Sequence, residues 1–238
     1  MKRLKKFRNL FFIVLLVNIK TMNAQYKNLN AHQQSMAGIC ALSAVGNIKG
    51  LQIQLNEGLD SGLTINEIKE ALVQLYAYCG FPRSLNAINT FMQVLENRKA
   101  NGKKDIEGKE ASPIAYTADK YKVGKETLQK LTGREEVGPK TGTNTFAPII
   151  DVFLKEHLFA DIFSRDVLNY RQREFVTIST LSAIFGVEPQ LQAHISMGLN
   201  TGITKEEIME LSTIIEKQIG KEQSEIVKIT LAKVLENR

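Results

Sequence analysis

Leu51-Gln52-Ile53-Gln54-Leu55, followed by Gly58, Gly62, Thr64, Glu67 and Ile68, returns 140 residues later as Leu191-Gln192-Ala193-His194-Ile195, followed by Gly198, Gly202, Thr204, Glu207 and Ile208. Val94-Leu95-Glu96-Asn97-Arg98 recurs unchanged at the same offset, ending on Arg238. Upstream the offset is 139: Leu29-Asn30 meets Leu168-Asn169, and Ile39-Cys40-Ala41-Leu42-Ser43-Ala44 meets Ile178-Ser179-Thr180-Leu181-Ser182-Ala183. One extra residue near Phe185 absorbs the difference. A fixed period sustained over such a length marks a duplicated structural unit.

Each unit reads as helices. Residues 34–45 and 173–185 are largely apolar, as a buried helix is. Leu51, Leu55 and Leu59 repeat every fourth position and mark one face of a second helix. Gly62 and Gly202 stand where that helix stops, since glycine tolerates the left-handed conformation past a helix end. Thr64-x-x-Glu67 and Thr204-x-x-Glu207 then form capping boxes that open a third helix. Cys79-Gly80-Phe81-Pro82 breaks the third helix of the first unit, with Ser84 placed to cap a fourth that runs to about Arg98. The second unit has Gly220 there but no proline, which leaves its last helices either continuous or bent. Between the units, Lys99 to Pro113 reads as polar linker, 119–132 as a short helix, 133–144 as a loop and 146–159 as a helical pattern leading into the second unit. No period-two strand pattern persists, so the fold class is all-α. The segments divide as a leader at 1–24, a first repeat at 26–98, a linker with a short helix at 99–145 and a second repeat at 146–238. Each repeat alone offers a small core, so the two are expected to pack as an internal pseudo-dimer.

The leader carries most of the charge asymmetry. Lys2, Arg3, Lys5, Lys6 and Arg8 precede an apolar run from Leu10 to Ile19 broken only by Asn18. A spanning helix needs roughly 20 apolar residues, so this shorter run reads as an export signal, cleaved near Ala24, with a periplasmic product and no stable membrane insertion afterwards. Translation from Met22 would instead give a cytoplasmic protein. The 238-residue chain has 31 Lys+Arg, 25 Asp+Glu and a formal charge of +6. Six of the basic residues lie in 1–24 with no acidic ones, which leaves 25 against 25 beyond the leader. The basicity therefore gives no argument for nucleic acid. Two cysteines, Cys40 and Cys79, exclude a disulfide scaffold; they read as two buried unpaired thiols, with one disulfide as the alternative. His32, His157 and His194 show no metal-ligand spacing, and no glycine-rich phosphate loop is present, so neither metal nor cofactor is expected.

Glu156-His157-Leu158-Phe159-Ala160-Asp161-Ile162-Phe163-Ser164-Arg165, then Arg173-Glu174 opening an apolar helix, then Leu191-x-x-His194 with Gly198 and Gly202-x-Thr204-x-x-Glu207-Ile208, resembles the carboxymuconolactone decarboxylase family. So does Tyr76-x-Tyr78-Cys79-Gly80-Phe81-Pro82 with Asn86 in the first unit. The resemblance covers nearly all of the chain beyond the leader. It implies alkylhydroperoxidase D-like helical repeats, a homo-oligomer, and a small-molecule substrate. The family includes lactone decarboxylases, thiol peroxidases of the alkylhydroperoxidase D type and members of unknown activity.

Within that frame His194 is the leading catalytic candidate. Imidazole exchanges a proton near neutral pH with little adjustment; the bland reading is a packing residue at the seam between units. Gly198, one turn on, is expected to leave room above the ring. Glu174 lies 20 residues upstream, where alkylhydroperoxidase D-like members carry a proton-relay glutamate; a carboxylate beside imidazole fixes its tautomer. Arg173 and Arg165 are candidates to hold a substrate carboxylate, with surface salt bridges as the alternative. Glu156 matches an acidic position of decarboxylase-like members, and Tyr78 joins the substrate-binding set. The peroxidase members carry Cys-x-x-Cys-x-x-x-His, yet the corresponding positions here are Val187 and Gln190, and Asn47 and Gly50 in the first unit. Cys79 is the remaining thiol in a suggestive setting. The repeats have diverged in a complementary way: the second keeps His194 where the first has Gln54, and the first keeps the Tyr78–Pro82 turn where the second has 218–222. One composite site using both halves is expected. The leading expectation is a cofactor-free lyase acting on a small carboxylated lactone or related acid. The alternatives are a peroxiredoxin-like activity through Cys79, or a non-catalytic binding protein of the same fold.

Overall fold

The computed structural model describes residues 26–114, 119–138 and 140–238; the leader expectation lies outside them. The helices of the first repeat are α1 (Ala31–Val45), α2 (Ile48–Ser61), α3 (Ile65–Gln74) and α4 (Tyr76–Ala100). The connecting region holds α5 (Lys120–Thr132), α6 (Thr143–Phe146), α7 (Pro148–Val152) and a π-helix, Phe153–Ile162. The second repeat follows as α8 (Tyr170–Leu181), α9 (Glu188–Asn200), α10 (Lys205–Gln218) and α11 (Lys221–Glu236). No strand occurs among the described residues, and none of their helices is long and apolar enough to cross a membrane.

Local chemistry sets the helix ends. Both threonine capping boxes form: Thr64 and Thr204 each accept from the third-residue amide, and Glu67 and Glu207 reach back to the cap. Two further boxes, Asn30 with Gln33 and Asn169 with Gln172, open the buried helices α1 and α8. Gly80 (φ 79°, ψ 159°) breaks the helical path inside α4, and Gly220 separates α10 from α11 without a proline. Ser84 does not act as an N-cap. Its hydroxyl donates to the Leu72 carbonyl at 2.7 Å and ties α4 back to α3.

The two repeats close on each other through α1 and α8. Ala37, Ala41 and Ala44 of α1 share one core with Phe175, Ile178, Leu191 and Ile208 of the second repeat, while Leu168 and Val176 complete the core of the first. Helix α8 is buried from Arg173 to Leu181. It accommodates Ser179 and Thr180 because their hydroxyls donate to the carbonyls four residues back, at 2.7 Å each. A pair of equivalent glutamates strengthens the seam reciprocally. Glu70 of the first repeat accepts from Arg165 and Arg173 of the second. Glu210 of the second accepts from the backbone amides of Lys27, Asn28 and Leu29 ahead of α1.

The connecting region is tied down. Residues 106–107 lie along the start of α3, where Ile65 N and Asn66 N donate to their carbonyls at 2.9 Å each. Asp166 accepts from Ser112 N at 2.8 Å and pairs with Lys109. The predicted helix at 119–132 is present as α5. The expected helical stretch at 146–159 is divided, because Pro148 starts α7 afresh and the chain then widens into the π-helix. Helix α5 packs so closely on that π-helix that a Cβ at Gly124 would lie 1.8 Å from the Lys155 carbonyl oxygen.

Candidate functional site

His194 stands in the middle of α9 and Glu174 near the start of α8, and the packing of these two helices brings them together. His194 Nδ1 lies 2.8 Å from Glu174 Oε2. The histidine is 7 % exposed and the glutamate 0 %. A carboxylate accepts only, so Nδ1 carries the proton of this bond and Nε2 is the nitrogen left to exchange one. Close helix contact depends on Gly198, although not in the expected way. A Cβ there would meet Ile178 Cδ1 at 2.7 Å and Ile203 Cδ1 at 3.2 Å, so the glycine lets α9 lie on α8 rather than clearing space above the imidazole. A Cβ at Gly58 would likewise meet the equivalent residues of the first repeat, Ile39 Cδ1 and Leu63 Cδ1, at 3.1 Å each.

The first repeat contributes Tyr78. Its ring meets the His194 ring edge-on, with centroids 5.3 Å apart at 84°. Burial, and then the negative charge of Glu174, push the Tyr78 phenol upward, so the hydroxyl stays protonated. The Tyr78 hydroxyl, Glu174 Oε1 and Arg173 Nε are all buried without a hydrogen-bond partner. An unmatched buried polar atom costs about 1–3 kcal/mol, and these three lie at or beside the His194–Glu174 pair.

The other sequence candidates lie around this centre to different degrees. Arg173 is fully buried, and its guanidinium donates to Gln74 Oε1 at 2.8 Å, Glu70 Oε1 at 2.8 Å and the Arg165 carbonyl at 2.6 Å. Arg165 donates to both oxygens of Glu70, at 2.8 and 3.0 Å. Glu156 is half-buried on the π-helix and makes no hydrogen bond to His194 or Glu174. Cys79 follows Tyr78 directly; its Sγ lies 3.2 Å from the Leu75 carbonyl, and burial pushes the thiol up to about 11. Both cysteines are free, and burial also raises Cys40, in the core of the first repeat. Val187 and Gln190 stand at the start of α9, so no thiol occupies the turn below His194. Among the described residues no three metal-ligating side chains cluster.

The pseudo-symmetric counterpart of this centre has lost its ionisable pair. Ser35, Gln54 and Gln218 occupy the positions of Glu174, His194 and Tyr78, and they line a small cavity of about 120 Å³. Gln54 donates to Glu57 at 2.5 Å. Sequence reasoning missed Glu70 and Gln74. Gln74 accepts from Arg173 and donates to the Arg173 carbonyl and the Thr177 hydroxyl, 2.9 Å each, next to Glu174. The available signal was two polar residues four apart in α3, beside the buried Ala71.

The comparisons with known proteins agree with this architecture. The model of the carboxymuconolactone decarboxylase family matches residues 17–91 and 152–222, one match in each repeat and the first beginning inside the proposed leader. The 4-carboxymuconolactone decarboxylase of Acinetobacter baylyi is 31 % identical over 93 residues, covering 39 % of this chain and 69 % of that enzyme. With matches in both repeats that together span more than half of its length, the chain belongs to the carboxymuconolactone decarboxylase family.

Proposed function

We propose that this protein is a cofactor-free lyase that removes carbon dioxide from a small carboxylated lactone or a related acid, with His194 and Glu174 as its proton-transfer pair. The observation that carries the reading is the buried 2.8 Å contact between His194 Nδ1 and Glu174 Oε2, on the family's fold. When carbon dioxide leaves, the pair of electrons of the broken carbon–carbon bond stays on the lactone-conjugated carbanion. His194 in its protonated form gives that carbanion a proton from Nε2. Glu174 holds the ring by Nδ1 and offsets the imidazolium charge before transfer. The neutral Tyr78 hydroxyl and Arg173 Nε are the unpartnered donors suited to substrate oxygens. A thiol mechanism is weaker on two counts: Cys79 has no second cysteine in a Cys-x-x-Cys arrangement, and its raised pKa keeps it as the thiol.

The test is carbon dioxide release from carboxylated γ-lactones and β-keto acids, measured on the parent and on His194→Gln. Glutamine is already accommodated at the equivalent Gln54, so the variant is expected to keep its helix content and thermal stability. Its turnover should fall roughly 10²–10⁴-fold, the range for a general acid–base group. Equal turnover by parent and variant on a confirmed substrate would make His194 a packing residue of the seam.

A further inference from the structure

The seam between the repeats also holds a cavity of about 430 Å³ whose lining includes neither His194, Glu174 nor Tyr78. It lies where α1 and α8 begin, and the capping glutamates of α3 and α10, Glu67 and Glu207, both line it. Its apolar lining, with Met36, Leu63 and Phe175 among it, is buried. The volume suits a small molecule, since ligand pockets run from about 300 to 1,000 Å³.

The duplication supplies a reference for what each half of this cavity holds. In the second repeat, Glu207 Oε1 accepts from Arg171 at 2.5 Å and, across the seam, from Gln33 at 3.3 Å. Glu207 Oε2 accepts from Thr204 N at 2.8 Å. Arg171 Nε also donates to the Gly202 carbonyl, at 3.2 Å. The carboxylate is thereby covered, and Glu207 is 5 % exposed. In the first repeat the cap is the same: Glu67 Oε2 accepts from the Thr64 amide at 2.9 Å and from its hydroxyl at 2.8 Å. The cation is missing. The counterpart of Arg171 is His32, whose ring stops against Gly62, the counterpart of Gly202; a Cβ there would lie 3.0 Å from His32 Nε2. Gln172, the counterpart of Gln33, makes no hydrogen bond to Glu67. Among the described residues Glu67 Oε1 has no hydrogen-bond or ion-pair partner, and the residue stays half-buried.

We propose that the first-repeat half of this cavity binds a small planar organic cation, an amidinium or guanidinium on an apolar body, with the cation on Glu67 in the place that the Arg171 guanidinium takes on Glu207. A forked planar cation matches a carboxylate through paired N–H bonds, and the apolar body lies against Met36 and Phe175. An anion fits less well. The helix N-termini attract negative charge, but Asn30 and Asn169 already hold the third-residue amides of α1 and α8. An anion would also face two carboxylates and one guanidinium, itself committed to Glu207.

Isothermal titration of the purified protein with benzamidine, benzamide and benzoate tests the proposal. Benzamidine should bind one molecule per chain, at least roughly tenfold more tightly than its neutral and anionic analogues, as a charged hydrogen bond implies. Glu67→Gln keeps the capping box, which works with either residue, and should weaken benzamidine binding roughly tenfold or more. His32→Arg supplies the missing guanidinium from the chain itself. It should abolish benzamidine binding and leave the far-UV spectrum unchanged, so the reading does not depend on Glu67→Gln alone. Absence of benzamidine binding, equal binding of benzamide or benzoate, or unchanged benzamidine binding in either folded variant overturns the proposal.

Discussion

At the scale of single residues, the duplication acts as an internal control on what each side chain does. Gly58 and Gly198 keep the same role in both halves, close contact of equivalent helices, and so both copies remain glycine. Position 194 differs: the second half has a buried imidazole on a carboxylate, while the first has Gln54 with Ser35 in place of Glu174. Packing is satisfied either way; only the second copy sets an imidazole against a carboxylate. Cys79 allows a direct chemical check on the redox alternative. With its thiol pushed up to about 11, alkylation by iodoacetamide at pH 8 should run at least roughly a hundredfold slower than for a free cysteine of pKa about 8.5, and accelerate up to about pH 11. Cys79→Ser should leave carbon dioxide release unchanged. Rapid alkylation at pH 7 would mean an activated thiol. The pairing of His194 with Glu174 was legible because a titratable residue at a helical position, twenty residues after a carboxylate, fits the family pattern. The commitment of Arg173 was not. The side-chain partners of its two terminal nitrogens, Glu70 and Gln74, come from the other repeat, and no spacing within either repeat reports them.

At the scale of elements, the helices of the repeats could be read closely, because their caps are local. Thr64 with Glu67 and Thr204 with Glu207 fix the start of α3 and α10 whatever surrounds them. The asparagine boxes at Asn30 and Asn169 use the same logic with a residue that also suits turns, and they pass unnoticed in the sequence. The region between the repeats was far less legible. Its apolar residues face outward and its charges inward, so a hydrophobic pattern cannot report which face is buried, and nothing in the local sequence specifies a π-helix. The seat of that π-helix is α5, and Gly124 is its contact point. Overpacking costs about 1–3 kcal/mol even where side chains can yield. At Gly124 the obstacle is the Lys155 carbonyl, whose oxygen lies 1.8 Å from where a Cβ would stand, and backbone yields less. Gly124→Ala should therefore lower the melting temperature by roughly 6–12 °C, the equivalent of about 3 kcal/mol in a chain of this size. A melting temperature within 2 °C or so of the parent would show that α5 can shift without cost.

At the scale of the whole molecule, the two repeats are held by equivalent glutamates that do unequal work. Glu70 faces two guanidinium groups, one of them the fully buried Arg173. Glu210 faces backbone amides and the Asn28 side chain at the edge of α1. Burial raises the Glu70 carboxyl, but the hydrogen bonds from Arg165 and Arg173 outweigh it and hold the group below its ordinary 4.5. A carboxylate whose pKa is depressed on folding stabilises fully above its unfolded value, and that contribution is lost as pH falls through the folded value. Glu70→Gln removes the charge and strands Arg173 in the interior, which costs about 3–5 kcal/mol for a broken buried pair. Glu210→Gln strands no charge, since an amide oxygen still accepts from backbone N–H groups, so its cost should stay near the roughly 1.5–3 kcal/mol assigned to a charged hydrogen bond. Thermal unfolding from pH 7 to pH 3 should then separate the two equivalent positions. Glu70→Gln is expected to be the less stable variant at pH 7, and its deficit relative to the parent should shrink below about pH 4.5, where the unfolded parent takes up the proton first and the folded parent only at lower pH. Equal losses at the two positions, or a Glu70→Gln deficit that does not change with pH, would mean that the repeats are joined by their shared apolar core alone and that the buried arginine needs no counter-charge.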